Sequence, residues 1–434
     1  MNRTDPSTRS PFNVQAFVSL ISDALLVLAV VLLFIEDGKR YSAGATTLWL
    51  AIETLRLSGA RPWSLGALSI LALNVRGIVL EDGPTPVSHM DYVVIIIAVL
   101  VGFGRDAAHW RRTAALVSGA CLLGVLLNAE VIFDFAWWSI EYQAQSLTKN
   151  STALLAGIGA LSGVMAALLG RHQWRWWLPM IPCILASFVL AKATTSRAAL
   201  GLVPLALLLA GLLISRDRLS SAFRTRLTAL SPPIRRGLGL AAVLVPISLV
   251  AIALVVEITA PGGLLRWFSG LYGAENIAND IGRLRVWECY LGLPFKGENR
   301  FIYGVGFQNS WQIWCTPEVT GRFLTHSHNI LLQIWAENGV LPFSLILVLL
   351  VLMIRRVLRN TAQRSDQGRS REMGGALAFS STAMFLYMIG FHMVELGMMK
   401  VPLLTALFGY FLGSIYPAAK PGQRSLQVDH HSAG

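Results

Sequence analysis

The chain has 434 residues, is 54% hydrophobic and only 14% charged, and carries a formal net charge of +12 with a mean hydropathy of +0.57. A soluble globular domain has about 25% charged residues, so this composition excludes a soluble fold and points to a bilayer protein. The positive balance does not point to nucleic acid: the arginines sit in short loops between apolar runs, where they orient a membrane protein, and no basic helix or aromatic platform accompanies them.

Met1 to Gln15 is polar and carries Arg3 and Arg9 ahead of the first apolar run. Gly38-Lys39-Arg40 after that run is not a signal-peptidase site, so the run is expected to be retained as an anchor. Runs that can span follow at 15–35, 43–59, 62–80, 91–104, 113–134, 152–170, 176–194, 198–214, 237–257, 340–356, 374–394 and 398–416. Within lipid the backbone must satisfy its own hydrogen bonds, so all are expected to be helices. The predicted fold is all-α: a polytopic bundle of about 12 transmembrane helices with one large helical periplasmic loop.

Loop charges orient the bundle. With the N-terminus in the cytoplasm, the inner loops carry Arg56 and Arg61, then Arg105, Arg111 and Arg112, then Arg171 and Arg175, with further clusters at 216–236 and 355–371. The short outer loops, such as Glu81-Asp82-Gly83-Pro84, are acidic, balanced or sparse. This asymmetry places both termini in the cytoplasm. The domains follow: spans one to nine over 1–257, a large outer, periplasmic loop over 258–339, spans ten to twelve over 340–416, and a cytoplasmic tail over 417–434.

Ionisable residues inside spans are costly and default to functional candidates. Asp23, Glu53, Arg76, Glu130, Glu395 and Lys400 qualify, and Glu53 with Arg76 is read as a structural ion pair between neighbouring helices. Arg197 differs. It closes the outer connection from Lys192 to Ser196 and stands at the start of the apolar run 198–214. A cation there opposes the helix dipole, and an anion held by the guanidinium and the free N–H groups gives it a role.

The segment 261–339 is too long for a simple connection and is expected to be functional. It opens a helix at Gly282 to Trp287, with Leu284, Trp287 and Leu291 read as its apolar face. Arg283 and Arg285 are two apart, so they point to different sides, and one of them is expected to face a site. Gly304-Val305-Gly306-Phe307 reads as a tight turn where the backbone approaches another segment closely. Cys289 and Cys315 either pair, which would stabilise the loop by about 3 kcal/mol, or pack as free thiols; the sequence leaves both open. Cys121 and Cys183 lie in apolar spans as inert core residues. Ser327 is read as the N-cap of a helix starting at His328 and Asn329 and ended by Gly339. Nearby positive charge keeps a histidine neutral at pH 7, and a neutral imidazole can accept a proton from a hydroxyl. Arginines hold phosphate. Candidate catalytic residues are therefore His328, Arg283 and Arg197, and candidate substrate contacts are Arg285, Asn329, His326, Arg322 and Lys192.

These motifs resemble the O-antigen ligase and polymerase superfamily. His328-Asn329, nine residues and Gly339 match its histidine motif. Gly282-Arg283 with Trp287 matches its Gly-Arg segment, Pro294 with Gly304-Val305-Gly306 its Pro then Gly-Val-Gly segment, and Ser196-Arg197 its Ser-Arg motif. One departure is an insertion: Phe295 to Tyr303 intervene between the proline and the Gly-Val-Gly. The resemblance implies a metal-independent glycosyl transfer with no cofactor, at the outer face of a bacterial inner membrane. The implied donor is an undecaprenyl-diphosphate-linked glycan, and the acceptor is lipid A-core for a ligase or a second lipid-linked repeat for a polymerase. Arg197 and Arg283 would bind the diphosphate and His328 would be the base. The histidine motif does not separate ligase from polymerase; the short chain and single dominant loop favour a ligase. A solute transporter would instead gather its polar residues near the midplane.

Overall fold

A computed structural model describes residues 14–57, 94, 97–102, 105–132, 147–170, 173–194, 196, 198–213, 274–305, 310, 314–320, 327, 329–362, 368–394 and 401–415. Among the described residues every regular element is a helix. Five are long and apolar enough to cross a membrane: Val14–Leu32, Ala107–Leu127, Lys149–Leu169, Trp174–Ala193 and Gly375–Met393. Shorter apolar helices cover Ala198–Leu213 and Leu403–Gly413. The runs at 62–80 and 237–257 lie outside the described residues.

The chain divides into two compact units, Met1–Ala210 with Met353–Gly434, and Gly211–Leu352. In the first, α1 (Val14–Leu32) packs on α2 (Gly38–Leu57) and on α3 (Ala107–Leu127). At its centre α4 (Lys149–Leu169) touches α3 and is buried around its whole circumference, as expected of a helix apolar on all sides. Short α5 (Trp174–Trp177) leads into α6 (Met180–Ala193), and Pro179, which cannot donate a backbone hydrogen bond, separates them. The helix Ala198–Leu213 is α7. Small residues let neighbours close on α4. A Cβ at Gly157 would lie 1.9 Å from the Tyr387 hydroxyl, which donates to Ala153 O at 3.2 Å. Cys121 and Cys183 are buried and free, as expected.

The acidic residues of α1 and α2 are paired. Buried Glu53 accepts from Ser22 Oγ at 2.5 Å, from Arg56 Nη1 at 2.5 Å and from Arg105 Nη2 at 2.7 Å. Asp23 is bridged to Arg112, which also donates to Ser19 Oγ at 2.8 Å. The cations holding Glu53 thus come from its own helix and from just ahead of α3; Arg76, the partner expected from sequence, lies outside the described residues, as do Glu395 and Lys400. Glu130 is exposed. Arg111 lies over the Trp176 ring at 4.5 Å, and Trp174 is 69% exposed, an arrangement suited to an aromatic belt at a membrane interface.

The second unit begins its described part with α8 (Ala274–Gly292), followed by a 3-10 turn (Leu293–Lys296), α9 (Glu298–Tyr303), α10 (Pro317–Thr320) and α11 (Ile330–Asn338). Helix α12 (Val340–Ala362) follows directly after Gly339. The chain ends its described part with α13 (Gly368–Val394), which packs on α4, and α14 (Pro402–Gly413). The buried face of α8 is Val286 and Tyr290, continued by Leu293, and it packs with Cys315 and Ala336. This corrects the face expected from sequence: Leu284 and Leu291 are 53% and 50% exposed. Both triplets have helical spacing, and the cross-link described next selects the second.

Candidate functional site

Cys289 and Cys315 are joined by a disulfide, with Cα atoms 5.9 Å apart. It fixes α8 to the segment before α10 from the side of the buried face. The alternative of two free thiols is set aside. Beside it Arg300 lies over the Trp314 ring at 4.0 Å.

The turn anticipated at Gly304 is built by close backbone approach. Gly304 has φ +72° and ψ −170°, and Gly339 has φ +78° and ψ −172°. Both values fall in a region essentially reserved for glycine. A Cβ at Gly304 would meet Glu337 O at 2.2 Å, and one at Gly339 would meet Ile302 O at 2.3 Å and Gly304 N at 2.6 Å. Val305 N donates to Ala336 O at 2.9 Å across the same contact. The first glycine of the Gly-Val-Gly segment and the last glycine of the histidine motif are therefore two sides of one backbone junction. Gly306 and Phe307 lie outside the described residues.

Helix α11 starts later than the sequence suggests. Its N-cap is Asn329, in extended backbone, whose side-chain oxygen accepts from Leu331 N at 3.0 Å and Leu332 N at 3.2 Å. Asparagine caps as well as serine does, so Ser327 is released to form the preceding turn, its Oγ accepting from Asn329 N at 3.2 Å. Ser327 is itself buried and held from two directions. Its N–H donates to Gln333 Oε1 at 2.9 Å, and its carbonyl accepts from Trp287 Nε1 at 2.6 Å.

Behind Gln333 lies a buried polar chain that sequence reading did not find. Gln333 Nε2 donates to Glu337 Oε1 at 2.5 Å, Ser310 Oγ donates to the same oxygen at 2.6 Å, and Ser310 Oγ lies 3.0 Å from the Tyr290 hydroxyl. Burial pushes the Tyr290 phenol above its usual range, opposed by its hydrogen bond to Ser310, while the nearby Glu337 adds to the rise. The available signal was Gln333 and Glu337 at i and i+4 inside an otherwise apolar helix, a spacing that puts both on one face.

The predicted site residues separate as follows. Arg283 is half-buried on α8, one turn before Trp287 and so on the same face. Arg285 is exposed on a different side. Asn329 caps α11. Lys192 is exposed at the end of α6. His328, His326, Arg322 and Arg197 lie outside the described residues, though the neighbours of two of them are placed. Ser327 and Asn329 flank His328. Ser196 precedes Arg197 at the start of α7, its Oγ accepting from Ala199 N at 3.4 Å. The Trp287 to Ser327 hydrogen bond thus joins the Arg283 face of α8 to the backbone immediately before His328.

Residues 181–347 match the family model described as O-antigen ligase, and this stretch of the chain carries that domain. The match includes the Ser196-Arg197 pair, α8, the glycine junction and α11, and it supports the superfamily read from the motifs. No curated protein matches the chain.

Proposed function

We propose that this chain is an O-antigen ligase-type glycosyltransferase of the bacterial inner membrane. It moves a glycan from undecaprenyl diphosphate to a sugar hydroxyl of lipid A-core at the periplasmic face. The observation that carries this reading is the 2.6 Å hydrogen bond from Trp287 Nε1 to Ser327 O, because it ties the guanidinium-bearing face of α8 to the residue next to His328. The Cys289–Cys315 disulfide supports a periplasmic location for this unit, since disulfides persist in oxidising compartments.

In the reaction, His328 takes the proton of the acceptor hydroxyl as general base. The acceptor oxygen forms a bond to the anomeric carbon of the donor, the bond from that carbon to the phosphate oxygen breaks, and undecaprenyl diphosphate departs. Arg283 holds the departing diphosphate with a charge-assisted fork, and Arg197 is assigned to the same group from its motif. Charge on the leaving group is met by guanidinium groups, and no metal is invoked. Arg285, His326, Arg322 and Lys192 are assigned to glycan or phosphate contacts. Asn329 acts through the cap, which fixes the backbone that presents His328.

The test is reconstitution of the purified protein with an undecaprenyl-diphosphate-linked glycan and, in separate vesicles, lipid A-core or a second lipid-linked repeat. Glycan on lipid A-core supports the ligase reading. Chain growth on the lipid-linked repeat would replace it with the polymerase of the same superfamily, and no transfer to either acceptor would refute both.

A further inference from the structure

The insertion at Phe295 to Tyr303 builds an aromatic cluster on the surface of the second unit. Phe295, Phe301 and Trp335 form a triangle with ring centroids 6.1, 5.8 and 5.9 Å apart. These separations are those of mutually packed aromatic rings. Trp335 is held in place by its Nε1–H, which donates to Leu291 O at 3.1 Å. Yet the cluster does not bury itself: Phe295 is 72% exposed, Phe301 and Ile302 39% each, and Leu291 50%. A contiguous apolar patch of this kind marks an interaction surface.

Two observations say what covers it. Trp335 also packs on Phe343, at 5.2 Å between ring centroids, so the patch runs without a break into the first turn of α12. Helix α12 opens with the apolar run Val340–Ile354, along which Leu341, Val348, Val351 and Leu352 are about half or more exposed, a surface suited to lipid tails. Basic groups also lie beside the rings. Lys296 is exposed next to Phe295, and Arg300, whose guanidinium lies over the Trp314 ring and donates to Lys296 O at 3.3 Å, flanks it without being free. Aromatic rings flanked by long cationic side chains are the composition of a bilayer interface, where the rings sit at headgroup depth and the cations reach the phosphates.

We infer that the insertion Phe295 to Tyr303, with Trp335, is a membrane-docking wedge that rests in the headgroup region of the leaflet next to the outer end of α12. It holds the second unit down on the lipid surface. The inference needs only a membrane-embedded chain and stands apart from the catalytic assignments.

The test uses full-length protein in vesicles of synthetic phosphatidylcholine and phosphatidylglycerol that contain no polyprenyl lipid. Single nitroxide labels are placed on Phe295→Cys, Phe301→Cys and, as an aqueous control, Asn299→Cys. Asn299 is exposed and lies two residues from Phe301 on α9, near its opposite side. Cys121 and Cys183 are buried, and wild type carried through the same labelling reaction checks that they take up no probe. The expected result is a severalfold higher ratio of oxygen to aqueous-nickel collision rates at 295 and 301 than at 299. Equal ratios at the three sites would overturn the proposal. A ratio that rises only after a polyprenyl diphosphate is added would overturn it in favour of a donor-tail groove, and dipolar broadening between labels would overturn it in favour of contact between two copies.

Discussion

Replacing Gly339 by alanine should open the junction that carries the candidate site. At φ +78° and ψ −172°, a residue with a Cβ costs about 1–3 kcal/mol in backbone strain. The new methyl would also stand 2.3 Å from Ile302 O and 2.6 Å from Gly304 N. Both are backbone atoms, so the end of α9 must move away, at about 1–3 kcal/mol by analogy with overpacked cores. The sum is about 2–6 kcal/mol. At about 1.4 kcal/mol per tenfold, its lower limit is a factor of about 30 in the opening equilibrium. Hydrogen exchange at the Val305 amide reads this directly, because that amide donates to Ala336 O across the junction. Exchange should accelerate at least about 30-fold, and transfer should fall with it. Gly304→Ala, built on the reciprocal contact, should behave alike. Unchanged exchange at Val305 in Gly339→Ala would refute the reasoning.

Cys289→Ser opens a loop closed across a sequence separation of 26 residues, and the chain-entropy model assigns that closure about 3.5 kcal/mol. Protection of amides around Cys315 should fall by up to about 300-fold, and wild type in dithiothreitol should show the same loss; protection in both unchanged from that of oxidised wild type would contradict it. Trp287→Phe removes the donor to Ser327 O and should cost about 1–3 kcal/mol locally, read as a lower kcat with KM little changed. Arg283→Lys should be severely impaired in transfer, because a point charge does not replace a bidentate fork, whereas Arg285→Ala, which removes an outlying contact on the exposed side of α8, should be impaired less than Arg283→Ala. Steady-state rates that rank Arg285→Ala below Arg283→Ala would reverse the choice of arginine.

Apolar runs of helical length are legible without any tertiary information, because lipid leaves the backbone no alternative to a helix. That is why α1 through α7 and α12 through α14 overlap the stretches expected of them. The glycine turn at 304 was legible for a similar reason: few chemistries require glycine twice within three residues. What the sequence could not supply was a choice between equivalent local solutions. Leu284-Trp287-Leu291 and Val286-Tyr290-Leu293 are both helical stripes, and only the disulfide and Ala336 decide which is buried. Ser327 and Asn329 are both good caps, and the chain uses the one nearer the helix. Glu53 had several arginines of suitable reach, and Arg56 and Arg105 engage it. Glu337 looked like one more polar residue on a helix until Ser310, far away in sequence, met it at 2.6 Å.

The most direct measurement is the rate of glycan transfer from undecaprenyl diphosphate to lipid A-core by wild type and His328→Ala, in vesicles carrying equal amounts of each. Removal of a general base should slow transfer by about 10²–10⁴-fold while exchange at the Val305 amide stays as in wild type. Transfer at the wild-type rate by His328→Ala would contradict the assignment of His328 as the base.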